Sequence, residues 1–259
     1  LPTAPPRRAN ITYIFFNQTN TCLYKTSIYI CSKIVLMHKS GFVTILGNPN
    51  VGKSTLMNCL VGEKLSIITQ KAQTTRHRIL GVISGVDYQI VFSDTPGVIN
   101  PHHDLHKAMM SSVKNSLEDA DVVLYIVSSN KEDLNDITFI EKVNTLNTPV
   151  VLLINKIDLI SQDQVKDLIC YWESHIPNGI VVPISALQKF NIDNLTNHIL
   201  SLLPESPPYF PKDTLTDKSE RFLVSEIIRE KILERYKQEI PYSVEVLVTK
   251  FHDKGKVIV

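Results

Sequence analysis

Cysteine is scarce in this sequence, and no long apolar run occurs. The four cysteines, Cys22, Cys31, Cys59 and Cys170, are scattered without Cys-x-x-Cys spacing, so neither a disulfide framework nor a zinc site is expected. Such cysteines are typical of reduced thiols in a cytoplasmic compartment. No apolar run approaches the roughly 18 residues that span a bilayer, which argues against an integral membrane protein.

Acidic residues are absent from the first part of the chain. No Asp or Glu precedes Glu63, although the chain of 259 residues as a whole has a formal net charge of +1. This balanced total gives no global sign of a nucleic-acid partner. Residues 1–40 are also rich in Ile, Tyr, Asn and Thr, unlike the rest of the chain, and we expect them to be a disordered leader or a non-native extension.

Three interpretations of residues 1–40 stay open. They are sequence upstream of a natural start at Met37, which we favour, or a genuine edge strand, or an organellar transit peptide, since they are basic and free of acid. The first interpretation goes with a cytoplasmic protein. The last would place the protein inside a mitochondrion or a plastid.

From residue 41 the pattern alternates between strand and helix. Apolar, β-rich runs occur at 42–46, 88–92, 122–127, 150–154 and 180–184, and helical stretches at 55–61, 105–117, 134–146, 164–174 and 191–203. This alternation predicts an α/β fold with a mainly parallel sheet and helices on both faces, over a domain at 41–205. Ligands of such sheets bind at the carboxyl ends of the strands.

A glycine loop separates the first strand from the first helix. Residues 47–54 fit the phosphate-binding pattern G-x-x-x-x-G-K-S/T without a mismatch, in the strand-loop-helix context that this motif requires. Backbone N–H groups and the helix N-terminus would surround the phosphates, Lys53 would reach the β- and γ-phosphates, and the Ser54 hydroxyl would bind Mg²⁺. The candidate nucleotide-binding residues are Gly47, Asn48, Pro49, Asn50, Val51, Gly52, Lys53, Ser54 and Thr55.

A second motif ends the run at 88–92. Asp94 could hold Mg²⁺ through water, and the Gly97 backbone N–H could meet a γ-phosphate. Asp-Thr-Pro-Gly is also a good ordinary turn, but its position after a strand, about 40 residues beyond Lys53, favours the nucleotide interpretation. The candidates are Asp94, Thr95, Pro96, Gly97 and Val98.

A third motif ends the run at 150–154 and predicts the base. The Asp158 carboxylate can accept from the two N–H groups on the Watson-Crick edge of guanine, which adenine lacks, while Asn155 and the Lys156 stem support the ring. After the next strand come Ser185, Ala186 and Leu187, where the Ala186 N–H would face guanine O6. The predicted ligand is therefore GTP or GDP rather than ATP.

These motifs, in this order, resemble the superfamily of small GTPases, a Ras-like G domain of the P-loop NTPase class. The segments KAQTTRHR at 71–78, RFLVSEIIREK at 221–231 and IPYSV at 240–244 narrow the resemblance to the Era family of ribosome-associated GTPases, over about residues 38–259. The resemblance implies hydrolysis of GTP, with Thr75 completing the Mg²⁺ shell and Lys53, Thr75 and Gly97 as the catalytic residues. Thr74 is the less favoured candidate for that threonine.

The family also implies partners. They are the 3′ end of small-subunit ribosomal RNA and the 30S-type subunit, together with peripheral association with the inner membrane, and the protein is expected to be a monomer. Two alternatives stay open: a GTPase that assists large-subunit assembly or tRNA modification, or a nucleotide-gated RNA-binding scaffold with little hydrolysis.

The residue after Gly97 predicts slow intrinsic hydrolysis. Ras-like enzymes orient the attacking water with a glutamine at this position, but here it is Val98, whose apolar side chain cannot hold water. Backbone groups, a cation or a partner would then have to place the water. Asn50 matches the asparagine that coordinates K⁺ in related GTPases, which makes K⁺ stimulation a hypothesis beside the plainer interpretation of a simple loop residue.

A proline-rich stretch predicts a domain boundary. Four prolines fall within residues 204–211, so we expect a semi-rigid linker at 206–218. Beyond it an apolar stripe of one helix is predicted to face a core, with Glu226, Arg229, Glu230 and Lys231 outside, and 244–248 alternates like a strand. By resemblance, residues 219–259 are the start of an α+β KH type-2 RNA-binding domain, which we expect to be incomplete because no G-x-x-G occurs there.

Overall fold

A six-stranded sheet lies at the centre of the computed structural model, which describes residues 38–69, 71, 74–97, 116–129, 147–177, 179–236 and 244–250. The strands are β1 (Lys39–Gly47), β2 (Ile79–Ser84), β3 (Tyr88–Asp94), β4 (Val122–Ser128), β5 (Val150–Asn155) and β6 (Ile180–Pro183). The described helices are α1 (Lys53–Val61), α2 (Gln162–His175), α3 (Ile192–Leu202) and α4 (Glu220–Arg235), with a 3₁₀ turn at Ile157–Leu159.

The sheet is parallel except at one edge. Its order is β2-β3-β1-β4-β5-β6, and only the β2–β3 pair among these strands is antiparallel. The predicted α/β class with a mainly parallel sheet is confirmed. Because the parallel strands share a direction, the loops that follow β1, β3 and β5 emerge at the same edge of the sheet.

The edge strand β2 was missed by the sequence interpretation. Its apolar run is interrupted by Gly81, which weakens the pattern of a strand. In the structure this glycine has a packing role, because a Cβ at Gly81 would lie 2.5 Å from Met57 Cε on α1. Strand β1 begins at Lys39, where Lys39 and Ser40 pair with β3, so residues 39–40 belong to the sheet rather than to a disordered leader.

The core has two layers because alternate residues of each strand point to opposite faces. Leu124 and Ile126 of β4 belong to the cluster that packs with α1 and α3. Val123 and Tyr125 belong to the opposite cluster, which includes Trp172 of α2. Every residue of β4 is buried, which is why its sequence is a continuous apolar run rather than an alternating one.

Part of the charged side of α4 faces the rest of the molecule. Glu226, Arg229 and Glu230 are buried, whereas Ile227 and Ile228 are 46% and 43% exposed. The prediction that Glu226, Arg229 and Glu230 lie outside is therefore wrong. Lys231 is exposed as predicted, and Phe222 of the apolar stripe packs against the core. Periodicity locates an apolar stripe but does not say which side of the helix is covered, and here residues 64–76 offer polar partners to the charged side.

The proline-rich connector lies along the sheet. The backbone N–H of Val82 donates to Leu215 O at 2.8 Å, and Gly81 and Thr216 form an isolated bridge. The amide of Gln89, a fully buried residue of β3, bonds the backbone of Tyr209 and Phe210. Residues 215–217 thus cover the open edge of β2, which protects it from pairing with another chain.

Other expectations meet the structure only in part. Residues 244–250 are described and contain no strand, so the strand expected at 244–248 is wrong. Residues 1–37 and most of the helices expected at 105–117 and 134–146 lie outside the described residues, although 116–118 are helical. Across the described part of the chain, no helix combines the length and apolarity that crossing a membrane requires.

Candidate functional site

The loop between β1 and α1 depends on two glycines. Gly47 has φ +148°, and a Cβ there would lie 2.3 Å from Ile126 O. Gly52 has φ +106°, and a Cβ there would lie 2.3 Å from Asn155 Nδ2. Any other residue would be strained and would collide at both positions, so the loop can pass this close to β4 and to the loop after β5 only with glycine.

Lys53 begins α1 and folds back over this loop. Its side chain is buried, and Nζ donates to Gly47 O at 3.0 Å and to Asn48 O at 2.7 Å. The first N–H groups of α1 have no acceptor within the helix and point toward the loop. A buried ammonium beside a helix N-terminus is a strong site for an anion such as a phosphate.

Two hydroxyls and one carboxylate meet beside Lys53. Ser54 Oγ donates to Asp94 Oδ2 at 2.8 Å and lies 3.0 Å from Thr75 Oγ1. Asp94 is fully buried, which raises the pKa of its carboxyl, while the charge of Lys53 and the hydroxyl hydrogen bonds act in the opposite direction. Hard oxygen donors of this kind are the ligands that Mg²⁺ prefers.

The group therefore fits a magnesium ion. Asp94 Oδ1 is buried and has no hydrogen-bond partner among the described residues, which leaves an acceptor for a metal-bound water. Ser54 and Thr75 are placed to contribute their hydroxyl oxygens directly, and Asp94 to act through water. The structure thus brings together the three residues predicted to bind the metal, and their metal-binding roles stay predictions.

The end of β5 and the loop after it are bonded to the loop at 47–54, called the phosphate loop below. Asn155 Nδ2 donates to Val51 O at 2.8 Å, and Lys156 Nζ donates to Asn50 O at 2.7 Å. Asn50 and Lys156 both have φ 64°, a conformation that asparagine tolerates better than lysine. These bonds hold the two loops in one fixed relation across the sheet edge.

Asp158 is positioned from the loop after β6. Ser185 Oγ donates to Asp158 Oδ1 at 2.6 Å. The Ala186 N–H, which is predicted to face guanine O6, donates to Asn155 Oδ1 at 3.0 Å. Asn155 is buried, and a buried amide oxygen needs a donor. The contact between Ala186 and the base stays a prediction.

One cavity of about 930 Å³ joins these loops, a volume in the range of ligand-binding sites. The predicted site residues that line it are Pro49, Asn50, Gly52, Lys53, Ser54, Thr55, Thr75, Gly97, Asn155, Lys156, Asp158 and Leu187.

Other predicted site residues do not line the cavity. They are Gly47, Asn48, Val51, Asp94, Thr95, Pro96, Ser185 and Ala186. Thr95 is buried and its hydroxyl donates to Ile45 O at 2.8 Å, so its role is to fix the chain after β3. Val98 lies outside the described residues.

Some lining residues were not foreseen. They are Ile67, Ile68, Thr69, Lys71 and Leu159, together with Leu233 and Glu234 from α4. Thr74, the less favoured candidate for the magnesium-binding threonine, also lines the cavity. Leu159 is adjacent to a recognised motif and could have been included on that ground. Nothing in the local sequence of α4 connects it with this cavity.

The fold and this cavity define a P-loop GTPase with a guanine-type base loop. A family model described as "50S ribosome-binding GTPase" matches residues 42–156. The chain is also 46% identical over 212 residues to the GTPase Era of Alkaliphilus metalliredigens, covering 82% of this chain and 72% of that protein. The chain therefore belongs to the Era family of GTPases.

Two solved Era structures have the same architecture. One is Era in complex with MgGDPNP and nucleotides 1506–1542 of 16S ribosomal RNA, with a TM-score of 0.78 and 41% identity over 85% of this chain and 75% of that one. The other is a substituted Aquifex aeolicus Era bound to GDP·AlF₄⁻, with a TM-score of 0.76 and 41% identity, covering 84% and 75% of the two chains.

Proposed function

We propose that this GTPase is a switch whose bound guanine nucleotide controls its attachment to small-subunit ribosomal RNA during assembly of a 30S-type subunit. The observation that carries the nucleotide part is the common cavity: the loop holding Lys53 and the loop holding Asp158 line the same space. The RNA part rests on membership of the Era family and on the relative that binds a 16S ribosomal RNA fragment.

In this proposal Lys53 binds the β- and γ-phosphates, and Thr75 and Gly97 sense the γ-phosphate. The backbone of Gly97 already approaches the phosphate loop, since a Cβ there would lie 3.0 Å from Pro49 N. Mg²⁺, when bound, supplies positive charge beside the phosphates. The residues that would hold it are Ser54, Thr75 and, through water, Asp94.

Base recognition can be tested apart from phosphate binding. The Asp158→Asn substitution changes the carboxylate to an amide, which can pair with the carbonyl that xanthine has in place of the guanine amino group. We expect affinity for GDP to fall about 100-fold, because the carboxylate that accepts from both guanine N–H groups is lost, and affinity for xanthosine diphosphate to rise. A variant that still prefers GDP would overturn the assignment of Asp158.

We further propose that hydrolysis is slow and that K⁺ stimulates it through Asn50. Support comes from Val98, which occupies the position of the water-orienting glutamine in Ras-like enzymes, and from Asn50, which lines the cavity and has a left-handed backbone. Turnover is compared in KCl and NaCl at equal ionic strength, with Asn50→Ala as the second arm. Equal rates in the two salts would remove K⁺ from the proposal.

Subunit choice separates the proposal from its main alternative. The family description, "50S ribosome-binding GTPase", favours large-subunit assembly as the second candidate. Binding of the chain to isolated 30S-type and 50S-type subunits is measured with a non-hydrolysable GTP analogue and with GDP. We expect analogue-dependent binding to the small subunit, and a preference for the large subunit would favour the alternative.

The remaining proposals concern the state of the protein in the cell. We propose a monomer in the cytoplasm with peripheral association with the inner membrane. Light scattering after size-exclusion chromatography tests the monomer, and co-sedimentation with anionic vesicles tests the membrane contact. Their outcomes do not affect the nucleotide assignment.

A further inference from the structure

Helix α4 carries a buried ion pair on the side that faces residues 64–76. Arg229 and Glu226 form a bidentate salt bridge: Arg229 Nε donates to Glu226 Oε1 at 2.8 Å, and Arg229 Nη2 donates to Glu226 Oε2 at 2.5 Å. Their side chains are only 4% and 9% exposed. A buried ion pair contributes little net stability, because removing two charges from water offsets their attraction. The pair by itself is therefore weak evidence for a stabilising role.

Arg229 also reaches across to the segment that carries the candidate magnesium ligand. Its Nη2 donates to the backbone oxygen of Thr74 at 2.6 Å. The next residue is Thr75, which is buried, with Oγ1 3.0 Å from Ser54 Oγ and 3.5 Å from Asp94 Oδ2. One charge-assisted hydrogen bond thus fixes the peptide immediately before Thr75.

Glu230 holds the beginning of the same segment. It is 2% exposed, its Oε1 accepts from the Ile68 N–H at 3.1 Å, and its Oε2 pairs with Lys64 Nζ at 2.6 Å. One turn further along α4, Leu233 lines the nucleotide cavity itself. The segment from 64 to 75 is consequently fastened to α4 at both of its ends.

We propose that Arg229, supported by Glu226 and Glu230, is a positioning residue. It holds Thr75 beside Ser54 and Asp94, where Mg²⁺ would bind, and thereby favours binding of GTP over binding of GDP. The inference rests on the proposed function, in which Thr75 senses the γ-phosphate. In this proposal the contact forms only when Thr75 is beside the nucleotide. It therefore strengthens binding of GTP, which needs Thr75, and leaves binding of GDP unaffected. By linkage, GTP strengthens the attachment of α4 to residues 64–75.

The test removes the ion pair without leaving a buried charge. The double variant Glu226→Gln/Arg229→Met is compared with wild type for binding of fluorescent GDP and of a fluorescent non-hydrolysable GTP analogue in Mg²⁺. We expect affinity for the analogue to fall about tenfold, the size of one hydrogen bond to a charged group, and affinity for GDP to change less than twofold.

The matched control is another i,i+3 pair, Asp163 and Lys166 at the start of α2, whose side chains are 91% and 73% exposed. The variant Asp163→Asn/Lys166→Met should leave both affinities unchanged. Equal losses for GDP and the analogue in the α4 variant would show a purely structural role and overturn the inference. So would unchanged affinities for both nucleotides.

A second readout does not depend on affinity. Amide hydrogen exchange at Ile68 should be slower in wild type with the analogue than with GDP, because GTP tightens the contact with Glu230. Equal exchange with the two nucleotides would contradict the linkage. If the first double variant fails to fold, Lys64→Met/Glu230→Gln replaces it, since Lys64 is half exposed, with the same expected loss for the analogue alone.

The two proposals fail in different ways. A wild-type chain that binds neither nucleotide would overturn the proposed function, and this inference with it. A wild-type chain that binds both, with variants whose preference is unchanged, would overturn only the positioning role of Arg229.

Discussion

Replacing Gln89 with leucine should release the connector 206–218 from the sheet. Gln89 is fully buried in β3. Its side-chain amide forms hydrogen bonds with the connector backbone, as a neighbouring strand would. Nε2 donates to Phe210 O at 2.8 Å, and Oε1 accepts from the N–H groups of Tyr209 at 2.7 Å and of Phe210 at 2.9 Å. Leucine fills a similar volume but can bond none of these groups.

The magnitude depends mainly on the three backbone groups that lose a partner. The Ser84 hydroxyl, which accepts from Gln89 Nε2 at 3.0 Å, also loses one but can turn to another donor. Tyr209 and Phe210 are half-buried, so each group costs about 1 kcal/mol, near the low end of the range for an unpaired buried group. The free energy of unfolding should therefore fall by roughly 2–3 kcal/mol. For a domain of this size the corresponding decrease in Tm is roughly 5–10 °C.

Two measurements check this prediction. Thermal unfolding is followed by far-UV circular dichroism at one fixed GDP concentration, because ligand binding itself shifts Tm. Trypsin cleavage after Lys212 and Lys218 should also become faster in Gln89→Leu, since the released connector is open to the protease. The control is Gln162→Leu at an exposed position of α2. A Tm within about 1 °C of wild type, with unchanged cleavage, would refute the reasoning.

Two further substitutions test the site and one tests a helix end. Gly52→Ala places a Cβ 2.3 Å from Asn155 Nδ2 at φ +106°, so affinity for fluorescent GDP should fall at least tenfold with the fold retained; wild-type affinity would contradict the tight loop contact. Ser185→Ala removes the 2.6 Å hydrogen bond to Asp158 and should reduce the preference for GDP over ADP about tenfold in competition binding. Ser161→Ala removes the capping box of α2 and should cost about 1 kcal/mol in urea unfolding, whereas an unchanged midpoint would show that the cap is dispensable.

Much of the fold and of the site could be predicted from the sequence because the signals are local. The strand-loop-helix at 42–61 combines a buried apolar run, two glycines and a helix within about 20 residues, and each depends on its own chemistry. The motifs containing Asp94 and Asn155 end strands that run parallel to each other in one sheet. Parallel strands bring such ends together regardless of the residues between them.

Two features depend on how whole elements are placed. The apolar run of β2 is interrupted by Gly81, so the strand is recognisable only once β3, which follows after residues 85–87, and the more distant connector lie beside it. The hydrogen bond from the Ala186 N–H to Asn155 Oδ1 joins two motifs that follow different strands. The placement of whole elements is not contained in a short sequence window.

Helix α4 shows most clearly which features depend on the sequence alone and which depend on the tertiary structure. Its sequence alone determined that a helix forms and that it has an apolar and a charged side. Only the tertiary structure decided that the charged side is buried, because Thr74 and Ile68 offer backbone groups that Arg229 and Glu230 can pair with. Amphipathicity sets two possible faces, and the face that is covered depends on which neighbour can satisfy its polar groups when water is removed.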